Sequence, residues 1–108
     1  MVQVVWRENV LIFIEGLAFK LYKKKYFSYI DVANKYVAYI YNYVNENISF
    51  LKHNQTKPQH KKYGAYYIII ITNKRTAWHV YFDKKDNKYI INKLLNNHLP
   101  TAKFLNEL

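Results

Sequence analysis

The side chains best suited to acid–base chemistry in this sequence are a histidine and a tyrosine in one aromatic segment. His79 and Tyr81 alternate there with Trp78, Val80 and Phe82. Because successive side chains of a strand point to opposite faces, the three apolar residues fit a buried face, and His79 and Tyr81 the other face. A group of side chains that combines an imidazole, a phenol and positive charges, without a carboxylate, is suited to RNA cleavage without a metal ion. In that reaction a base takes the 2′-hydroxyl proton, cations stabilise the phosphorane, and an acid protonates the leaving oxygen.

Cations and a further histidine accompany this strand. His98 follows the last predicted strand after two asparagines. Structural roles are open for both histidines: His79 as a polar residue on a solvated face, and His98 as a loop residue at a strand end. Candidate phosphate-binding residues come from a basic loop, a turn and the last strand: Lys61, Lys62, Lys74, Arg75 and Lys93.

Neither a metal nor an organic cofactor is expected. The chain has no cysteine and only two glycines, so it lacks Cys-ligated zinc sites and Gly-rich phosphate loops. Its four histidines have no short paired spacing of the kind metal sites use. Any catalysis is therefore expected to rest on the side chains themselves.

The charge of the chain is strongly positive and uneven. Of the net +10, residues 1–50 carry six basic and four acidic side chains (+2), and residues 51–108 carry eleven and three (+8). Such a field attracts polyanions, which favours a nucleic acid or an acidic protein as partner. The alternative is that lysine only keeps a very apolar chain in solution.

Hydrophobic periodicity predicts a two-layer α+β fold in one domain, residues 1–108. Short polar turns between the last three strands indicate an antiparallel meander. A helical hairpin covers one face of the sheet, the N-terminal strand joins it, and the other face is expected to be open. The strand at residues 63–72, which is rich in isoleucine, is expected to be central or covered on both faces. The predicted elements are strands 2–6, 63–72, 77–83 and 88–95, helices 7–22 and 28–46, and a basic loop 51–62.

The sequence shows neither a membrane span nor a signal-peptide pattern. The expectation is a cytoplasmic protein, monomeric or loosely dimeric when free.

The chain resembles the RelE/ParE toxin superfamily, the small basic toxins of bacterial toxin–antitoxin modules. The likeness lies in the order of elements, in Arg75 to Phe82 (RTAWHVYF), and in Tyr89 to His98 (YIINKLLNNH). The ending Asn96-Asn97-His98 is similar to the YafQ-like branch. The resemblance implies a cognate acidic antitoxin as partner and, for many members, cleavage of ribosome-bound messenger RNA.

The same resemblance suggests site residues. His98 matches the histidine that acts as general acid or base in the YafQ-like branch. His79 occupies the position where many family nucleases have a phosphate-binding arginine. The candidates to supply the missing positive charge are Arg75, Lys74, Lys61 and Lys62. The catalytic candidates are therefore His98, His79 and Tyr81.

Three hypotheses follow. The first is a metal-independent, ribosome-associated endoribonuclease toxin. The second is a non-enzymatic relative that binds DNA gyrase, as the ParE branch does. The third is a nucleic-acid-binding accessory protein of a mobile element.

Overall fold

The computed structural model describes residues 2–73 and 76–96, in which two helices pack on one five-stranded sheet. The strand order is β1-β5-β4-β3-β2. Strand β1 runs parallel to β5, and every other neighbouring pair is antiparallel. The predicted α+β two-layer class is confirmed. The elements are β1 Gln3–Trp6, α1 Glu8–Lys23, α2 Ile30–Asn47, β2 Asn54–Gln55, a 3₁₀ helix Pro58–Tyr63, β3 Tyr66–Asn73, β4 Thr76–Lys85 and β5 Lys88–Asn96.

The helices cover one face of the sheet through apolar residues at helical spacing. Helix α1 buries Leu17 and Leu21, and α2 buries Val37, Ile40 and Val44. These positions are three or four residues apart, so each set forms one stripe against the sheet. The same core contains Trp78, Val80 and Phe82 of β4, which are fully buried. In the described part of the chain, no helix is long and apolar enough to cross a membrane.

The expectation of a basic loop at residues 51–62 is wrong in part. This segment contains β2, in which Asn54 pairs with Tyr67, and the start of the 3₁₀ helix, which has Pro58 in its first turn. Proline suits that position because its fixed φ is helical and its missing N–H has no partner to lose there. The 3₁₀ helix lies against the sheet face opposite α1 and α2. That face is therefore not open at this point, contrary to the expectation from sequence.

The isoleucine-rich strand β3 is neither central nor covered on both faces, and that expectation is also wrong. Ile68 and Ile70 are buried under the helices, whereas Ile69 and Ile71 are 42% and 72% exposed. On its outer side β3 pairs with β2 only at Tyr66 and Tyr67. The continuous apolar run therefore belongs to a strand that is buried on one face only and lies next to the edge strand β2.

Gly64 fixes the position of the 3₁₀ helix over the sheet. Its φ is +133°, and a Cβ there would lie 2.7 Å from the Phe82 carbonyl oxygen and 2.9 Å from Asn92 Nδ2. Only glycine combines this backbone conformation with so close an approach to a neighbouring strand.

We expect Gly64→Ala to lower the free energy of unfolding by about 1 to 3 kcal/mol, because it adds backbone strain and a steric clash. Urea unfolding measures the loss, with Gly16→Ala as the matched control. Gly16 is helical, exposed and has open space around its Cβ, so alanine there should stabilise the chain slightly. Equal effects at both glycines would contradict the proposed role of Gly64.

Candidate functional site

A cluster of two histidines and three tyrosines lies between the sheet and the 3₁₀ helix. Strand β4 supplies His79 and Tyr81, β3 supplies Tyr67, and the 3₁₀ helix supplies His60 and Tyr63. We call these five residues the His–Tyr cluster. The prediction that His79 and Tyr81 lie on the sheet face opposite Trp78, Val80 and Phe82 is confirmed. Strand β4 keeps an unbroken register with β3 over these residues, and its two sides belong to separate groups of buried residues.

Ring contacts join all five members. Tyr81 is central, with its ring 5.6 Å from His60, 5.5 Å from Tyr63 and 5.4 Å from Tyr67. His79 stacks on Tyr67 at 5.2 Å, and His60 stacks on Tyr63 at 5.7 Å. The Tyr81 hydroxyl is 3.5 Å from His60 Nδ1, a long hydrogen bond whose donor depends on the tautomer of the imidazole.

The cluster is largely shielded from solvent. His60 and His79 are each 6% exposed, and Tyr81 is 1% exposed. His79 Nδ1 is buried and finds no hydrogen-bond partner among the described residues. A buried polar nitrogen without a partner is unfavourable, so it is rare in folded proteins and requires a specific explanation such as a bound molecule or a functional role.

Burial shifts the pKa values of His60, His79 and Tyr81 toward their neutral forms. It lowers the pKa of His79 to about 4, with a smaller contribution from the nearby His60. The pKa of His60 is also lowered, first by burial and then by the positive charge of Lys62. Burial, followed by Tyr67 and Tyr63, raises the pKa of Tyr81 to about 12. At neutral pH the cluster therefore holds imidazoles able to accept a proton and a phenol able to donate a hydrogen bond.

Two lysines lie at the border of the His–Tyr cluster. Lys62 Nζ lies 5.2 Å from the centre of the Tyr63 ring, and Lys93 Nζ lies 5.6 Å from it. Lys93 pairs with Tyr81 across β4 and β5, which places both on the same sheet face. Asp83, two residues beyond Tyr81 on β4, accepts hydrogen bonds from the Ala65 N–H and from Asn92. Each oxygen of its carboxylate thus accepts one of these hydrogen bonds.

The structure brings together only part of the predicted site. His79, Tyr81, Lys62 and Lys93 lie in or beside the His–Tyr cluster. Lys61 is exposed on the same 3₁₀ helix. The remaining candidates, Lys74, Arg75 and His98, lie outside the described residues.

Sequence reasoning missed His60, Tyr63 and Tyr67 as members of the site. His60 and Tyr63 are three residues apart, and in a 3₁₀ helix such residues lie on one side, which is why their rings stack. Pro58, two residues before His60, was the available signal for a helical turn, although it gave no indication of what the turn packs against.

No group of three or more His, Asp or Glu suited to a metal ion occurs in the part of the chain that the structure describes. Comparison with protein-family models, with curated proteins and with solved structures found no match.

The burial of His79 predicts that the stability of the fold falls at acidic pH. The ordinary histidine pKa of about 6.5 applies to the unfolded chain, which binds more protons than the folded chain between pH 6.5 and 4. Stability is therefore lost as the pH falls through this window, by roughly 2 to 3 kcal/mol from His79. Urea unfolding at several pH values measures the slope, which His79→Phe should reduce. An unchanged slope in that variant would show that His79 is not responsible.

Proposed function

We propose that this chain is a metal-independent endoribonuclease that acts on ribosome-bound messenger RNA, as the toxin of a toxin–antitoxin module in the cytoplasm. The observation that carries the proposal is the His–Tyr cluster, which groups His60, His79 and Tyr81 beside Lys62 and Lys93. The net charge of +10 supports a polyanionic substrate. The strand, helical hairpin and meander on which the RelE/ParE resemblance rests are present in the fold.

In the proposed mechanism, His60 is the general base. In the tautomer of His60 that donates its Nδ1–H to the Tyr81 oxygen, Nε2 is the basic nitrogen of the ring, and it takes the proton from the RNA 2′-hydroxyl. The 2′-oxygen attacks the adjacent phosphorus, and the bond to the 5′-oxygen of the next nucleotide breaks. Lys62 and Lys93 stabilise the charge on the phosphorane. The products are a 2′,3′-cyclic phosphate and a 5′-hydroxyl, and His98, implied by the resemblance, is the candidate acid for the leaving oxygen.

Incubation of the purified chain with ribosomes carrying a defined message, in the magnesium buffer that intact ribosomes require, tests this proposal. Cleavage at defined positions is expected, and the ends should be a 2′,3′-cyclic phosphate and a 5′-hydroxyl, because the 2′-hydroxyl is the nucleophile. Intact messages, under conditions where expression of the chain arrests growth, would contradict it.

A second candidate function has its own supporting observation, which is the burial of His60, His79 and Tyr81. Side chains so enclosed can serve packing alone, in a toxin that binds DNA gyrase without cutting RNA. Gyrase-dependent DNA damage with intact messages would favour this alternative over the nuclease. Salt-sensitive nucleic-acid binding without any growth arrest would instead favour an accessory protein of a mobile element.

Lysine contacts with phosphate predict a specific salt dependence. We expect Lys62→Ala and Lys93→Ala each to weaken RNA binding and to reduce the slope of log affinity against log salt by about one counterion. Fluorescence anisotropy with a labelled single-stranded RNA across a salt series measures both quantities. Lys35→Ala, an exposed lysine on α2, is the matched control and should leave the slope unchanged. Equal slopes in all three variants would contradict a phosphate role for Lys62 and Lys93.

A further inference from the structure

Helix α2 and its two ends carry a row of mostly apolar side chains beside the face that packs on the sheet. Its members follow one another at alternating spacings of three and four residues, which is the spacing of positions a and d in a coiled coil. We call the row the α2 stripe, and its seven members are Tyr29, Val32, Tyr36, Tyr39, Tyr43, Glu46 and Phe50. Four of the apolar members are 46% to 83% exposed, namely Tyr29, Val32, Tyr39 and Phe50.

The core of the protein does not require the exposed part of this stripe. Helix α2 packs on the sheet through a different set of buried residues, namely Ala33, Val37, Ile40 and Val44. Within the stripe, the rings of Tyr39 and Tyr43 lie 5.7 Å apart, and the Tyr36 hydroxyl accepts a hydrogen bond from Trp78 Nε1. Tyrosine is enriched at protein interfaces because its ring contributes apolar area while its hydroxyl keeps a polar partner. The composition of the stripe is therefore typical of a protein interface.

The charge of α2 argues against a polyanion as the occupant of the stripe. The helix contains Asp31, Lys35 and Glu46, a net charge of −1, whereas residues 51–108 carry +8. A nucleic acid or an acidic protein is attracted to the basic part of the chain, and this helix offers it no positive excess. The occupant of the stripe should instead be apolar and nearly neutral along its length, as α2 itself is.

The stripe is complementary to a second copy of itself in one orientation. If two α2 helices pack antiparallel with Tyr39 of one opposite Tyr43 of the other, Val32 comes opposite Phe50. In the same register Glu46 comes opposite Tyr36 and therefore lies near the neighbouring Lys35 of the other copy. Two-fold symmetry produces each of these contacts twice. A parallel arrangement would instead place Glu46 against Glu46, which is repulsive.

We propose that this chain forms a homodimer in which two α2 stripes pack antiparallel about a two-fold axis. Apolar side chains would provide the affinity, and the contacts between Lys35 and Glu46 would set the orientation. The sheet face that carries the His–Tyr cluster lies opposite the helices and stays outside this interface. The inference does not require the chain to be a nuclease, because self-association is measured without RNA.

Sedimentation equilibrium of the full chain over a concentration series measures the dissociation constant of the dimer, and circular dichroism checks that each variant folds. We expect Val32→Ser combined with Tyr39→Ser to raise this constant by at least about tenfold, because the change removes apolar contact area from both copies. Ile12→Ser combined with Phe19→Ser is the matched control. It removes equally exposed apolar side chains from α1 and should leave the constant unchanged.

A charge exchange tests the antiparallel orientation. We expect Lys35→Glu and Glu46→Lys each to raise the dissociation constant by about three- to tenfold, since each dimer contains two such contacts. The two changes together should restore it to nearly the parent value, because the ion pair forms again with its signs reversed.

Two kinds of result would overturn the inference. The first is a chain that stays monomeric at millimolar concentration or a dimer that the stripe variants do not weaken, since either would exclude the stripe as the interface. The second is a failure of the double charge exchange to restore association, which would exclude the antiparallel arrangement. His60→Ala should dimerise like the parent chain, so failure of the nuclease proposal would not be confused with failure of this one.

Discussion

Replacing His60 with Ala is expected to lower the rate of RNA cleavage by about 10² to 10⁴, the usual contribution of a general base. The expectation rests on the position of His60, whose Nδ1 lies 3.5 Å from the Tyr81 hydroxyl and whose lowered pKa keeps the ring neutral. Single-turnover cleavage of ribosome-bound message measures the rate. Ribosome affinity, measured beside it, should barely change, because Lys62 and Lys93 remain.

Two further variants make this result specific. His53→Gln removes an imidazole from the helix-covered side of the sheet, where His53 contacts Phe82 and Tyr89, and should keep nearly full activity. His98→Ala tests the residue implied by the RelE/ParE resemblance and should also lower the rate by about 10² to 10⁴ if His98 is the general acid. Full cleavage by His60→Ala would exclude His60 as the base.

Replacing Val80 with Asp is expected to destabilise the fold by about 3 to 5 kcal/mol. Val80 is fully buried in the core between the sheet and the helices. A carboxylate there has neither water nor a cation to compensate its charge. Chemical unfolding followed by circular dichroism measures the loss of unfolding free energy. A variant that does not fold at room temperature would show a loss larger than expected, in the predicted direction.

Ile71→Asp on the neighbouring strand is the control for Val80→Asp. It makes the same chemical change at a side chain that is 72% exposed, so its cost should stay below about 1 kcal/mol. Similar losses at both positions would contradict the assignment of Val80 and Ile71 to a buried and an exposed face.

The long elements were predictable from sequence because their apolar periods are strong. Helix α2 was predicted at 28–46 and spans Ile30–Asn47, and the alternation in β4 correctly separated Val80 from His79 and Tyr81. A local period carries this information without reference to the rest of the chain. The fold class could therefore be predicted before any tertiary contact was known.

The composition of the site was harder to predict because it depends on contacts between distant segments. His60 enters the cluster because Gly64 lets the chain pass close to Phe82, which is eighteen residues further along the sequence. Strand β2 has only two residues, and its pairing with β3 has no signal in local sequence. In the isoleucine run of β3 every position is apolar, so the period of two that separates buried from exposed side chains is lost. For that reason the exposure of Ile69 and Ile71 could not be predicted.

The chemistry of the RNA ends tests the central proposal most directly. A message carrying a single 2′-deoxynucleotide at the mapped cleavage position would be loaded on ribosomes and treated with the purified chain, beside the unmodified message. We expect the unmodified message to yield a 2′,3′-cyclic phosphate and a 5′-hydroxyl, and the deoxy-substituted message to remain intact at that position. Cleavage of both messages, or of neither, would contradict a nuclease that works through the 2′-hydroxyl and the His–Tyr cluster.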